Sequence, residues 1–151
     1  MTRAHLITFA ALGSAGLLAG AFMFQMLGYA PCQMCIWQRY PHVVAVALGL
    51  VALRLRSTAV VVLGAMAAFA SGATGVFHAG VEQGWWQGPT TCSSGPVSDL
   101  SAEALLDQIL AAPLVRCDDI AWEFIGISMA GWNAILSFAL VAVWIMALKR
   151  S

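Results

Sequence analysis

Charge is what this sequence has least of. Only 9% of its 151 residues are Asp, Glu, Lys or Arg, against 61% hydrophobic. A soluble domain usually carries about 25% charged residues, so a fully water-exposed globular surface is excluded. Internal repeats at a solenoid period and low-complexity tails are also missing, which excludes repeat architectures and linker-like segments. No nucleic-acid partner is expected.

Long apolar runs fill the chain instead. Leu6 to Leu27, Thr58 to Val81 and Phe124 to Leu148 are free of Asp, Glu, Lys and Arg, and each is long enough to cross a hydrocarbon core, which takes roughly 20 helical residues. A fourth run, Ile36 to Leu53, is marginal in length and carries Arg39 in its first turn. The expectation is an all-α, integral membrane four-helix bundle forming one domain over 1–151, with spans at about 6–27, 36–53, 58–81 and 124–148. The basic residues Arg3, Arg54, Arg56, Lys149 and Arg150 place both termini and the turn between spans two and three in the cytoplasm. Two loops then face the other side, at about 28–35 and 84–123. The N-terminal apolar run is about 22 residues, longer than the roughly 7–15 of a signal-peptide core, and is read as a span.

Small residues recur in the spans, at Gly13, Ser14, Gly16 and Gly20 and again at Gly64, Ser71, Gly72 and Gly75; in lipid they let helix backbones approach closely. In the long outer loop, Trp85, Trp86 and Trp122 suit anchors at the membrane interface. Gly88 to Pro96 reads as extended chain bounded by turn formers. From Ser101 to Ala112 the apolar residues Ala102, Leu105, Leu106, Ile109 and Leu110 share one helical face, with Ser101 as cap and Pro113 as stop. This is a short amphipathic helix, either lying on the outer surface or packed on the bundle's loops.

All four cysteines, Cys32, Cys35, Cys92 and Cys117, fall in the outer loops. An even count on an oxidising side implies disulfides. Three pairings are possible, and spacing suggests Cys32 with Cys35 and Cys92 with Cys117. A Cys-x-x-Cys pair closes too small a loop to act as a staple and is usually redox-active. The second pair, about 25 residues apart, would gain roughly 3 kcal/mol from loop closure, so a purely structural staple is an equal reading of it. Haem attachment would need His after Cys35, where Ile36 stands; a four-cysteine zinc site would need two short-spaced pairs; no soluble stretch is long enough for a thioredoxin-like domain. No metal is expected. Arg39 lies four residues after Cys35, on the same helical face. A guanidinium within a span is either a functional group, favouring a Cys35 thiolate and hydrogen-bonding a carbonyl acceptor, or a side chain snorkelling to the interface.

With these residues in place the sequence resembles the bacterial disulfide bond formation protein B (DsbB) family over nearly its whole length. The motifs are Pro31-Cys32-Gln33-Met34-Cys35-Ile36-Trp37-Gln38-Arg39, the segment from Val81-Glu82-Gln83-Gly84-Trp85-Trp86 to Cys92, and Cys117 followed by Trp122 to Met129. The resemblance implies a quinone-dependent oxidoreductase of the bacterial inner membrane with its cysteines facing the periplasm. A periplasmic thioredoxin-fold dithiol oxidase (DsbA-like) would attack the Cys92–Cys117 disulfide at Cys92. Cys117 and Cys32 would then exchange, freeing Cys35 beside ubiquinone or menaquinone, with Arg39 at the quinone. His78, near the outer end of span three, either faces the quinone headgroup or is satisfied within the bundle. Gln83 and Met129 are weaker candidates, and Arg116 beside Asp118 and Asp119 gives Cys117 no clear electrostatic bias. The alternatives are a vitamin K epoxide reductase-like enzyme, whose Cys-x-x-Cys comes late in the chain, and a tetraspanin-like scaffold, which leaves Cys32, Cys35 and Arg39 without a role.

Overall fold

The computed structural model describes residues 1–93, 101–111 and 115–150. Four long helices form the bundle: α1 (Arg3–Met26), α2 (Gln33–Leu55), α3 (Thr58–Glu82) and, after a shorter α4 (Ala102–Ala111) and the two-residue strands β1 (Glu123–Phe124) and β2 (Ile127–Ser128), α5 (Met129–Leu148). The long helices run 24, 23, 25 and 20 residues and are apolar enough to cross a bilayer. Large apolar side chains such as Phe9, Leu12, Val44, Leu50, Met66 and Phe69 face outward, as a lipid-exposed surface requires and a soluble one would not tolerate. The chain is a multi-pass membrane protein.

α1 packs on α2 and α5, and α3 packs on the same two. At one end the core is Leu6, Ile7, Ala10, Ala52, Val61, Leu140, Trp144 and Ala147. Trp144 is fully buried because glycines make room for it: a Cβ on Gly64 would come within 2.7 Å of its ring. At this end Arg3 donates to the Arg56 carbonyl and to Thr58 Oγ1, both at 3.3 Å, which ties the N-terminus to the tight α2–α3 turn. That turn is made by Arg56 in the left-handed conformation (φ 52°). Both termini therefore lie at one end of the bundle, and the cysteine loops lie at the other.

Two boundaries differ from those the apolar runs predict. Helix α2 begins at Gln33, not Ile36, because Cys32 caps it: its Sγ accepts the Cys35 backbone N–H at 3.2 Å. Cys35 is thus in the first helical turn and not in a loop. The last helix begins at Met129, not Phe124. Residues 123–128 fold as a hairpin, with Glu123 opposite Ser128 and Phe124 opposite Ile127. Its two central residues, Ile125 and Gly126, both have positive φ (55° and 71°), as a tight two-residue hairpin turn of the I′ kind demands. Ser128 then caps α5 by accepting from the Gly131 N–H at 3.2 Å.

The amphipathic helix is α4, capped by Ser101 Oγ, which accepts from the Ala104 N–H. Leu106, Ile109 and Leu110 are exposed on it. The expected extended chain of 88–96 is a turn where it is described: the N–H groups of Cys92 and Ser93 both donate to the Pro89 carbonyl at 3.0 Å. Residues 94–96 and the stop expected at Pro113 fall outside the described residues.

Candidate dithiol and disulfide site

All four cysteines meet at the loop end. Cys92 and Cys117 are joined in a disulfide, while Cys32 and Cys35 are free thiols with their sulfurs 2.8 Å apart. Cys32, Met34, Val81, Cys92 and Cys117 form one buried cluster, with Cys35 and Val115 packed against it. The disulfide is docked there by backbone and side chain together: the Cys117 N–H donates to the Cys92 carbonyl at 2.6 Å, and Thr91 Oγ1 donates to Gln33 Oε1 at 2.6 Å. The second pair is therefore packed onto the first. The hydrogen bond to Cys35, and burial after it, push the Cys32 thiol above the usual cysteine range.

Cys35 and Arg39 share a helix face, as their spacing predicts, and both line two adjoining cavities. The larger, about 390 Å³, lies between α1, α2 and α5, with walls that include Phe24, Trp122, Phe124, Trp132 and Leu136. Arg39 is held at its edge by α1: Nη1 donates to Gln25 Oε1 at 2.8 Å, Nη2 to the Ala21 carbonyl at 3.4 Å, and the guanidinium lies 5.0 Å from the Phe22 ring. Trp122 packs on Phe24 with centroids 4.9 Å apart and lines this cavity. Met129 lines both cavities.

His78 lines only the smaller cavity, about 50 Å³, with both thiols, Glu82, Arg116 and Asp119. Its Nε2 is 3.6 Å from Cys32 Sγ and 3.7 Å from Glu82 Oε1, and its Nδ1 is 2.8 Å from Gln38 Nε2. It also interacts with the Cys117 backbone. Glu82 is nearly enclosed, its side chain 6% exposed. Arg116 pairs with Asp118 at 2.7 Å and Asp119 at 3.5 Å, which neutralises its charge beside Cys117.

Cys32, Cys35 and His78 bring three ligand-type atoms within 4.8 Å of one another, yet their surroundings do not suit zinc. Tetrahedral thiolates with bonds of about 2.3 Å sit roughly 3.8 Å apart, well beyond 2.8 Å. A ligating imidazole also needs an acceptor behind its second nitrogen, and Nδ1 faces the amide N–H of Gln38.

The sequence assigns no role to Gln25, Gln38, Glu82 or Asn133, although Gln38 and Glu82 stand within the quoted motifs and uncharged amides inside apolar spans are signals of interhelical hydrogen bonding. Here Asn133 Nδ2 donates to Gln38 Oε1 at 2.8 Å and to Ser71 Oγ at 3.2 Å, while Asn133 Oδ1 pairs with His42 Nε2 at 3.1 Å.

The family model described as "Disulfide bond formation protein DsbB" matches residues 3–147. The protein called disulfide bond formation protein B in Albidiferax ferrireducens is 32% identical over 153 residues, covering 95% of this chain and 86% of its own length. Its namesake in Azoarcus sp. is 32% identical over 149 residues, covering 90% and 87%. An uncharacterized protein of Rickettsia prowazekii is 28% identical over 119 residues, covering 75% and 68%. No solved structure matches.

Proposed function

The chain belongs to the disulfide bond formation protein B family, and from that premise we propose that it is a protein-dithiol:quinone oxidoreductase of the bacterial inner membrane. Its proposed partner is a reduced thioredoxin-fold oxidase of the DsbA kind in the periplasm, and its proposed acceptor is ubiquinone or menaquinone. The observation that carries the reading is the convergence of both cysteine pairs in one cluster, with Cys35 and Arg39 opening onto the apolar cavity.

The cavity fits such a group on its own chemistry. Its size lies within the roughly 300–1,000 Å³ of small-molecule sites, its walls are aromatic and aliphatic, and a cation and a thiol stand together at one edge. Arg39 would hold a quinone oxygen, and Phe24, Trp122 and Trp132 would flank the ring. A bound quinone supplies the two-electron acceptor.

The chain's own steps are thiol–disulfide exchanges. The partner's thiolate attacks Cys92, forming a mixed disulfide and releasing Cys117. The Cys117 thiolate attacks Cys32 in an oxidised Cys32–Cys35 pair, so that Cys35 leaves with the electron pair beside Arg39. The partner's second thiol closes its own disulfide and releases Cys92, which takes back Cys117 and frees Cys32. Attack at Cys92 requires its turn to lift from the cluster, since the residue is 1% exposed. The deciding experiment is steady-state turnover of purified protein in detergent with reduced DsbA and a short-chain ubiquinone. Quinol formation matched to partner oxidation is expected. A protein of normal fold that fails to couple them with ubiquinone or menaquinone would overturn the reading.

A further inference from the structure

The role of His78 follows from the amide beside it; its place in the catalytic cycle rests on the proposed exchange sequence, but its test does not. Two backbone carbonyls fix how the Gln38 amide is turned. Gln38 Nε2 donates to the Met34 carbonyl at 3.2 Å. Asn133 Nδ2 donates to the Ser71 carbonyl at 3.4 Å, so it must present a donor to Gln38 Oε1 as well. Reversing Gln38 would set oxygen against oxygen at Met34 and N–H against N–H at Asn133, leaving two buried polar groups unpaired. Gln38 therefore donates to His78 Nδ1 at 2.8 Å. A neutral imidazole has one donor and one acceptor. With Nδ1 accepting, the ring proton belongs on Nε2, the nitrogen that faces Cys32 Sγ at 3.6 Å and Glu82 Oε1 at 3.7 Å, and the Cys117 backbone is the further neighbour with which Cys32 shares that donor.

We propose that His78 is a catalytic hydrogen-bond donor to the Cys32 sulfur when that sulfur leaves as a thiolate, and that Gln38 is the residue that positions it in the Nε2–H tautomer. The step concerned is the return of Cys117 to Cys92. The Cys92 thiolate attacks Cys117; the Cys92–Cys117 bond forms as the Cys117–Cys32 bond breaks, and the electron pair leaves on Cys32. No proton changes hands, because His78 keeps its Nε2–H and shares it. Help is needed at this sulfur, which is buried, because burial disfavours a thiolate that has no hydrogen-bond donor. The arrangement also excludes His78 as a general base toward Cys32 unless the whole Gln38–Asn133 pairing is broken.

The test uses full-length Cys35→Ser protein in detergent, with its Cys92–Cys117 disulfide intact and Cys32 as the sole free thiol. The pH profile of Cys32 alkylation by iodoacetamide reports its thiolate. The groups facing Cys32 besides His78 are Arg39 on α2, Glu82 on α3, and Tyr29, Arg116 and Asp119 from the loops, and these stay unchanged. His78→Leu should lower the alkylation rate at a given pH below the midpoint about tenfold or more, the range of one hydrogen bond to a charged group. His78→Gln, which can restore an N–H donor, should recover much of that rate, and Gln38→Leu should lose part of it. In unsubstituted protein, ¹⁵N spectra of labelled histidine should show Nε2 of His78 protonated and Nδ1 as the acceptor. A protonated Nδ1, or equal profiles for His78→Leu and the parent, or no recovery in His78→Gln, would each overturn the proposal. Neither quinone nor dithiol partner enters this assay, so a failure of the oxidase reading would appear in turnover and leave these measurements standing.

Discussion

Arg39 of α2 is aimed by Gln25 of α1: the guanidinium donates to the Gln25 amide oxygen at 2.8 Å, across 14 residues of sequence. This contact turns the side chain along α1 at the edge of the large cavity. In steady-state kinetics with quinone varied at saturating dithiol partner, Arg39→Gln should raise the apparent quinone KM about ten- to hundredfold, the worth of a charge-assisted hydrogen bond of roughly 1.5–3 kcal/mol. Arg39→Lys keeps the charge but loses the planar fork and should be milder. Gln25→Leu should act in the same direction, with a smaller effect, because the charge remains and only its anchor is lost. Unchanged quinone dependence in Arg39→Gln would place the acceptor elsewhere.

Much of this was legible in the sequence because membrane spans are written in composition: an apolar run of sufficient length has few other fates. The i, i+4 spacing likewise puts Cys35 and Arg39 on one face whatever the packing around them. What was not legible depends on geometry that local pattern does not carry. Phe124 to Ile127 is as apolar as the span that follows, so nothing marks the hairpin, and Ile125 is a β-branched residue at a positive φ where Gly or Asn is usual. The cap at Cys32 was hidden because cysteine is not a usual capping residue. Gln38, Asn133 and His78 come from three helices, and their pairing depends on how those helices are rotated, which spacing within each span does not fix.

The close approach of α3 and α5 gives a stability test independent of redox chemistry. A Cβ at Gly64 would lie 2.7 Å from two carbons of the buried Trp144 ring. An indole held on all sides has little room to give. Gly64→Ala should destabilise the bundle by about 1–3 kcal/mol, the usual cost of overpacking. Gly16→Ala, whose Cβ meets nothing within 4 Å, should be neutral or slightly stabilising through helix propensity. Reversible unfolding in mixed detergent micelles would compare them, and equal stability of Gly64→Ala and the parent would mean that Trp144 can move.

Orientation can be read with alkaline phosphatase, which is active only outside the cytoplasm. Fusions after Ser57 and at the C-terminus should be inactive, because Arg3, Arg54, Arg56, Lys149 and Arg150 gather at that end. A fusion after Ser101 should be active. The reverse pattern would put all four cysteines in a reducing compartment, where the Cys92–Cys117 disulfide would not persist.

The Cys92–Cys117 disulfide packs against Cys32, and a substitution at Cys117 separates a relay from a staple. If Cys117 is the group that passes the exchange to Cys32, Cys117→Ser should abolish turnover of the reduced partner, since Cys92 then has no sulfur to release. Loss of the bridge forfeits about 3 kcal/mol of loop-closure stabilisation for a separation of 25 residues, but that cost falls on the outer loop, and the helices should remain assembled. The Cys32–Cys35 pair keeps its place at the start of α2 and its edge on the apolar cavity, so quinone should still oxidise it in Cys117→Ser membranes. Both halves can be followed in one experiment by trapping thiols with a mass-tagged maleimide during incubation with reduced DsbA and quinone. The expected pattern is an oxidised Cys32–Cys35 pair, a Cys92 that stays a free thiol, and no sustained partner oxidation. Normal turnover by Cys117→Ser would instead reduce the second pair to a staple and require the partner to attack Cys32 or Cys35 directly.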